Sequence, residues 1–205
     1  LYDDYAYAFV VVGLGQGKRI AESSQPSGNA DEIISQFLDY QVHEKDQYNL
    51  NNMGRAYYGD KMEYTSTQNF DFDFPNVVTS RLCSVKTALA GRNFQQASFT
   101  VWLNNTQQAM YTIRPTTSST SDPYGHDVGG WISVRPAGET IGVTLKHNSH
   151  GSTITSEGYV DYILVNAWRQ LTFMGGQLLF RNPEAYLTNK IYEYRLADVT
   201  QQTQV

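Results

Sequence analysis

The stretch NFDFDFP at residues 69–75 puts Phe70, Phe72 and Phe74 on one parity and Asp71 and Asp73 on the other. Successive side chains of an extended chain leave opposite faces, so this order makes a strand with one side in a core and one in water. The two carboxylates belong on the wet side, because charged groups are seldom buried without partners. A looser version of the same period marks candidate strands at 82–90, 98–103, 110–113, 131–135, 140–146, 159–171, 177–181 and 190–196. Between them lie AGRNFQQ, NNTQQ, TTSSTSDPYGHDVGG, PAGE, NSHGSTITSEG and NPEA, all rich in turn-forming residues. Many short strands without alternating helices predict an all-β antiparallel sandwich of jelly-roll type, not a parallel α/β sheet.

Two stretches near the start are less regular. YAYAFVVVG, closed by GLGQGKRI, predicts an added strand or hairpin within residues 1–20. In DEIISQFLDYQVHEKD, Ile33, Ile34, Phe37 and Leu38 fit a helical face capped by Asp31, whereas Leu38, Tyr40 and Val42 alternate. We read a strand from about Gln36. The expected organisation is then an N-terminal strand or hairpin and loop over residues 1–35, and a sandwich over 36–205.

Composition excludes some functions. A net charge of -5 and the lack of an Arg-rich segment offer no field for a phosphate backbone, so nucleic acid is not an expected partner. The single cysteine, Cys83, allows no internal disulfide. It shares parity with Val85 and Leu89, which predicts a buried thiol that packs as a small hydrophobe. The apolar run at 6–14 is shorter than the ~20 residues a membrane helix needs. LYDDY carries neither a basic start nor a cleavage site, so the chain reads as a mature or excised piece. His147 and His150 flank a turn and not a helical face, so no metal site is expected, and no cofactor motif is present.

The segment GRAYYGD at 54–60 raises the question of a ligand loop. A phosphate loop needs a Lys-Ser/Thr pair and a following helix, but here Asp60 follows Gly59 and a strand-like stretch comes next. We read it as a turn entering a strand, with Gly54 and Gly59 relieving crowding and Arg55 paired with Glu44, Asp46 or Asp60. Tyr57 and Tyr58 are the alternative: an aromatic platform on a binding surface. GYVDYILVNAWRQL at 158–171 carries Tyr159, Asp161, Ile163, Val165 and Ala167 on odd positions. Its even positions hold Val160, Tyr162, Leu164, Asn166 and Trp168. Both parities are largely apolar, which predicts a central strand whose second face, at Tyr162, Leu164 and Trp168, meets a further cover.

HEKDQYNLNNMGRAYYGDKMEY, FDFDFPN, GYVDYILVNAWRQL, GQLLFRN and LADVT follow one another in an order that resembles the PorU family of type IX secretion sortases of Bacteroidetes. The first motif is carried by Glu44, Asp46, Asn49, Gly54, Arg55, Tyr57, Tyr58, Gly59 and Asp60. The later one is carried by Gly158, Tyr159, Val160, Asp161, Tyr162, Ile163, Asn166, Ala167 and Arg169. Tyr57-Tyr58 stands where that family usually has a Trp-Phe-like pair, and Ala197 where it usually has Trp. The resemblance implies the non-catalytic region that precedes a gingipain-like cysteine peptidase domain, with no catalytic residue or cofactor of its own. It implies as partners the downstream peptidase domain, secreted cargo and an outer-membrane barrel protein, with an isolated chain that is monomeric. The implied location is exported, at the cell surface or outer membrane. Apart from the resemblance, a carbohydrate-binding sandwich is the alternative, with Tyr57, Tyr58, Tyr124, Trp131 and Trp168 as candidate stacking rings.

Overall fold

Alternation along the chain sorts the strands into two layers. The structure, a computed structural model, describes residues 7–13, 15, 17–18, 24, 26–52, 56–149, 156–186 and 189–200. Among these residues the strands are β1 (Glu32–Ile34), β2 (Gln36–Glu44), β3 (Gly59–Glu63), β4 (Ser66–Asp73), β5 (Cys83–Asn93), β6 (Ala97–Leu103), β7 (Thr106–Ile113), β8 (His126–Val134), β9 (Thr140–Asn148), β10 (Ser156–Gln170) and β11 (Tyr192–Tyr194). A five-stranded sheet runs β2-β10-β5-β8, with β3 also paired to β10, and a four-stranded sheet runs β4-β9-β6-β7. All pairs within these two sheets are antiparallel. The chain changes layer between β3 and β4, β4 and β5, β5 and β6, β7 and β8, β8 and β9, and β9 and β10, which is the wrapped order of a jelly roll.

The core lies between the layers. Phe70, Phe72 and Phe74 are buried in it while Asp71 and Asp73 are exposed, as their alternation requires. They meet Val85 and Leu89 of the five-stranded sheet and Phe99, Val101 and Leu103 of β6. Cys83 is part of the same core, and its Sγ donates to the Val134 carbonyl at 3.0 Å. Burial pushes this thiol up.

Two expected strands are not seen among the described residues; the rest of the hairpin expected within 1–20, at 1–6, 14, 16 and 19–20, lies outside them. Residues 7–13 lie outside any strand with their side chains exposed, Phe9 at 93%. Apolar content alone does not make a strand, because the ladder needs a partner to take its N–H and C=O groups. Residues 177–181 also form no strand, and Leu179 is exposed. That segment is held by the Leu38 N–H on the Arg181 carbonyl at 3.0 Å, and just beyond it Asn182 Nδ2 donates to the Gln36 carbonyl at 3.1 Å. The region 190–196 contracts to β11, which pairs in parallel with β1, a contact that no local pattern announced.

His147 is fully buried beside Phe99, their ring centroids 5.2 Å apart. Its Nδ1 lies 2.5 Å from the Tyr64 carbonyl, and since a carbonyl only accepts, Nδ1 carries the proton. Among the described residues Nε2 has no partner, so a second proton there would be a buried, unpaired charge. Burial accordingly holds this imidazole below its ordinary value of 6.5. A depressed folded-state value means that the unfolded chain takes up the proton first. The His147 contribution is therefore present above about 6.5 and declines as pH falls below it. Melting curves between pH 7.5 and 5.5, in wild type and in His147→Phe, check this: the fall in Tm should be shallower in the variant. His150 lies outside the described residues. Among those residues, no group of three His, Cys, Asp or Glu is gathered as a metal site would require.

Candidate functional site

The residues singled out in the sequence cluster around a defect in β10. Its pairing with β5 runs in register to Val160↔Leu89 and resumes at Tyr162↔Ala88, which leaves Asp161 as the extra residue of a bulge. A bulge shifts the parity of everything beyond it. Val160 therefore faces the core together with Ile163, Val165 and Ala167, while Tyr159 turns to the outer side. The sequence pattern had placed Tyr159 and Asp161 on the face of Ile163; the inserted residue corrects that. Tyr159 packs with Tyr58 and Ala90, and its ring centroid lies 6.2 Å from that of Tyr58 and 5.8 Å from that of Tyr48. The Tyr58 hydroxyl donates to Asp127 Oδ1 at 2.9 Å, and burial together with that carboxylate pushes the phenol up. Burial also raises Asp161, aided by the negative charges of Glu44, Asp127 and Asp46.

The described part of GRAYYGD, residues 56–60, leads into β3. Tyr48 and Tyr58 exchange backbone hydrogen bonds of 2.7 and 2.8 Å, closing the excursion before β3. A Cβ on Gly59 would stand 2.5 Å from Lys45 Cβ and 2.7 Å from the Lys45 carbonyl oxygen, so only glycine lets the two passes approach. Asp60 then receives Lys45 Nζ at 2.6 Å and His43 Nε2 at 2.5 Å. Burial pulls this carboxyl upward, but the Lys45 and His43 contacts outweigh it and hold it below the usual range. Gly54 and Arg55, and with them the expected Arg55 ion pair, lie outside the described residues. Glu44 and Asp46 are exposed.

Further along β10, Asn166 Nδ2 donates to Ser84 Oγ at 3.3 Å, across to β5. Arg169 does more. Its Nη1 meets Asp39 Oδ2 of β2 at 2.7 Å, its Nε donates to the Pro75 carbonyl at 2.6 Å, and its guanidinium lies 5.3 Å from the Phe37 ring. It joins β2, β10 and the loop after β4. These contacts make the later motif a structural joint.

The outer face of the five-stranded sheet is where recognition chemistry is exposed. Register puts Val42, Leu164, Lys86 and Trp131 in one row across β2, β10, β5 and β8. Glu44, Tyr162, Ala88 and Gly129 form the next row. Trp131 is 57% exposed, Tyr40 50% and Val42 46%, while Tyr162, Leu164 and Trp168 are half-buried. The expected second cover is thus absent over part of this face among the described residues. A shallow groove of about 330 Å³ runs beside these rows, between Lys86, Ala88, Gly129, Asp161 and Tyr162. Arg81 caps Trp168 at 3.3 Å from the ring centroid, Arg181 lies 5.2 Å from Tyr40, and Lys86 5.9 Å from Trp131.

The five candidate stacking rings have separate surroundings. Tyr58 is buried, Trp168 is capped, Tyr57 is exposed just before β3, and Tyr124 sits against Arg92 at 4.2 Å in the loop before β8. Only Trp131 lies open on the sheet face. Sequence reasoning missed Lys86, its cross-strand neighbour, and the exposed Tyr40 and Val42 at the far edge of the same face. The alternation in QFLDYQVHE carried the signal for two of them, since it puts Leu38, Tyr40 and Val42 opposite the buried Phe37.

No protein-family profile matches the chain, and no curated protein does. Among solved structures, dimeric latent PorU from Porphyromonas gingivalis superposes with a TM-score of 0.67 at 14% identity, covering 86% of this chain and 17% of that one. The fold is PorU-like. The chain spans 17% of the length of that PorU, and at such identity the likeness concerns the fold alone. Weaker matches include the CBM36-1 domain of a multidomain xylanase from the hindgut metagenome of Trinervitermes trinervoides, with a TM-score of 0.39, 8% identity, and coverage of 69% of this chain and 100% of that domain.

Proposed function

We propose that this chain is the non-catalytic β-sandwich region of a PorU-like type IX secretion sortase, exported to the cell surface or outer membrane. In this role it docks its own gingipain-like peptidase domain on the outer face of the five-stranded sheet and thereby positions it towards secreted cargo. The observation that carries the reading is the row of Val42, Leu164, Lys86 and Trp131, exposed at its two ends and flanked by the exposed Tyr40, on a PorU-like fold. Apolar residues grouped on one sheet face mark a surface that another body covers. The motifs that resemble the sortase family agree, because their described residues build and line that face: Gly59, Asp60 and Arg169 set the strands, while Asn166 lies on the face and Asp161 and Tyr162 line its shallow groove. Cys83, the one thiol, sits in the core with its Sγ on a carbonyl, a setting that suits packing and not nucleophilic attack.

The isolated chain is accordingly expected to leave peptides bearing type IX C-terminal signals uncut. Turnover that disappears in Cys83→Ala would contradict the non-catalytic assignment. In the parent polypeptide, a gingipain-like domain is expected after Val205.

A further inference from the structure

The other side of the sandwich has a different chemistry. The outer face of β4 and β9 is made of short polar side chains, among them Asn69, Asp71 and Thr144, and Trp102 of β6 stands in their midst. In ASFTVWL the residues Phe99, Val101 and Leu103 fill the core, so Trp102 lies on the opposite face, paired across to Thr144. It is half-buried there. An indole on a sheet exterior that is polar along β4 and β9 is not needed for the core, which is complete without it.

Local structure holds this ring in place. The β6–β7 pairing shifts register between Val101 and Trp102, and such bulges re-aim the side chains beside them. The hairpin beyond turns on Asn104 and Asn105, with φ of 47° and 66°, a left-handed pair that asparagine tolerates. Asn104 Oδ1 accepts the Gly142 N–H at 2.8 Å, which ties the turn down against β9. Thr144 Oγ1 donates to Asn69 Oδ1 at 2.7 Å, which orients that amide. Two hollows of about 360 and 380 Å³ result, and they adjoin because both are lined by Asn105 and Thr144. Trp102 and Lys146 line one, and Asp71 with Gly142 lines the other.

We propose that this groove binds an oligosaccharide, with a pyranose ring stacked on Trp102. A sugar ring offers C–H groups on its flat face, which suit the negative face of an indole, and hydroxyls around its rim. Vicinal hydroxyls are matched by groups that donate and accept side by side, as the Asn69 and Asn105 amides do, and by a carboxylate such as Asp71. The lining carries one acid and one amine, Asp71 and Lys146, so it favours neither a phosphate nor a polycation. Among the described residues its lining offers no apolar pocket to take peptide side chains. Its open, two-part shape suits a chain of sugars more than a single one. The site lies on the opposite sheet from the docking face, and the two proposals stand or fall separately.

The test is titration of the chain with hexasaccharides of β-1,4-xylose, β-1,4-glucose, β-1,4-mannose, β-1,3-glucose and α-1,4-glucose, by calorimetry and tryptophan fluorescence. Saturable binding to at least one is expected. Trp102→Ala should weaken it about tenfold or more, as loss of an aromatic anchor does. Asn105→Gly, which keeps the left-handed turn and removes the amide, should weaken it several-fold, while Tyr186→Ala, an exposed aromatic in a distant loop, should not. Silence across the panel would overturn the proposal, as would affinity that survives Trp102→Ala. If Trp102→Ala fails to fold, unchanged affinity in Asn105→Gly overturns it.

Discussion

Arg169→Ala is expected to lower stability by about 3 kcal/mol, while Arg195→Ala changes it by no more than about 0.5. Both arginines touch a carboxylate, so the contrast isolates burial. The Arg169 side chain is 12% exposed and its Asp39 partner 24%, whereas that of Arg195 is 60% exposed and pairs with Glu193 two residues away. Removing the Arg169 guanidinium strands the Asp39 carboxylate and the Pro75 carbonyl together, and leaves Phe37 without its overlying cation. Exposed pairs are screened by water and contribute little. For a domain of this size the loss corresponds to a fall in Tm of about 10 °C. Equal melting temperatures for the two variants would remove Arg169 from its role as a joint.

The same residue shows how far the sequence could be read. Its place in GYVDYILVNAWRQL and the apolar character of that strand were legible, because central strands must be apolar on both faces. The partner Asp39 was not, since 130 residues separate them and pairing between strands so far apart in the chain leaves no local trace. The Phe70, Phe72 and Phe74 stripe was read correctly because one face meets a core and the other meets water. The bulge at Asp161 was not, because an inserted residue alters parity without altering composition. It swapped the face assigned to Tyr159, and with it the neighbours of Tyr58. The apolar run at 7–13 has a pattern that suits a strand, but among the described residues it pairs with no other strand. Trp102 was overlooked although its signal was present, a lone tryptophan on the parity of Ser98 and Thr100.

The docking face predicts the largest effect of all. Val42 and Trp131 are 46% and 57% exposed, so aspartate at both should leave the isolated chain folded, with stability changed by about 0.5 kcal/mol at each. Within an interface of ordinary size, each new carboxylate would be buried without a partner. Association with the peptidase domain of the same polypeptide should then weaken at least about 100-fold, since one stranded charge alone costs about 3 kcal/mol or more. The measurement that reaches the central claim most directly is hydroxyl-radical footprinting of the isolated chain with and without that peptidase domain. Trp131 and Tyr40 should be protected several-fold in the complex, while Met110, exposed on the four-stranded sheet, stays equally reactive. Unchanged labelling of Trp131 and Tyr40 in a complex that demonstrably forms would contradict the assignment of this face.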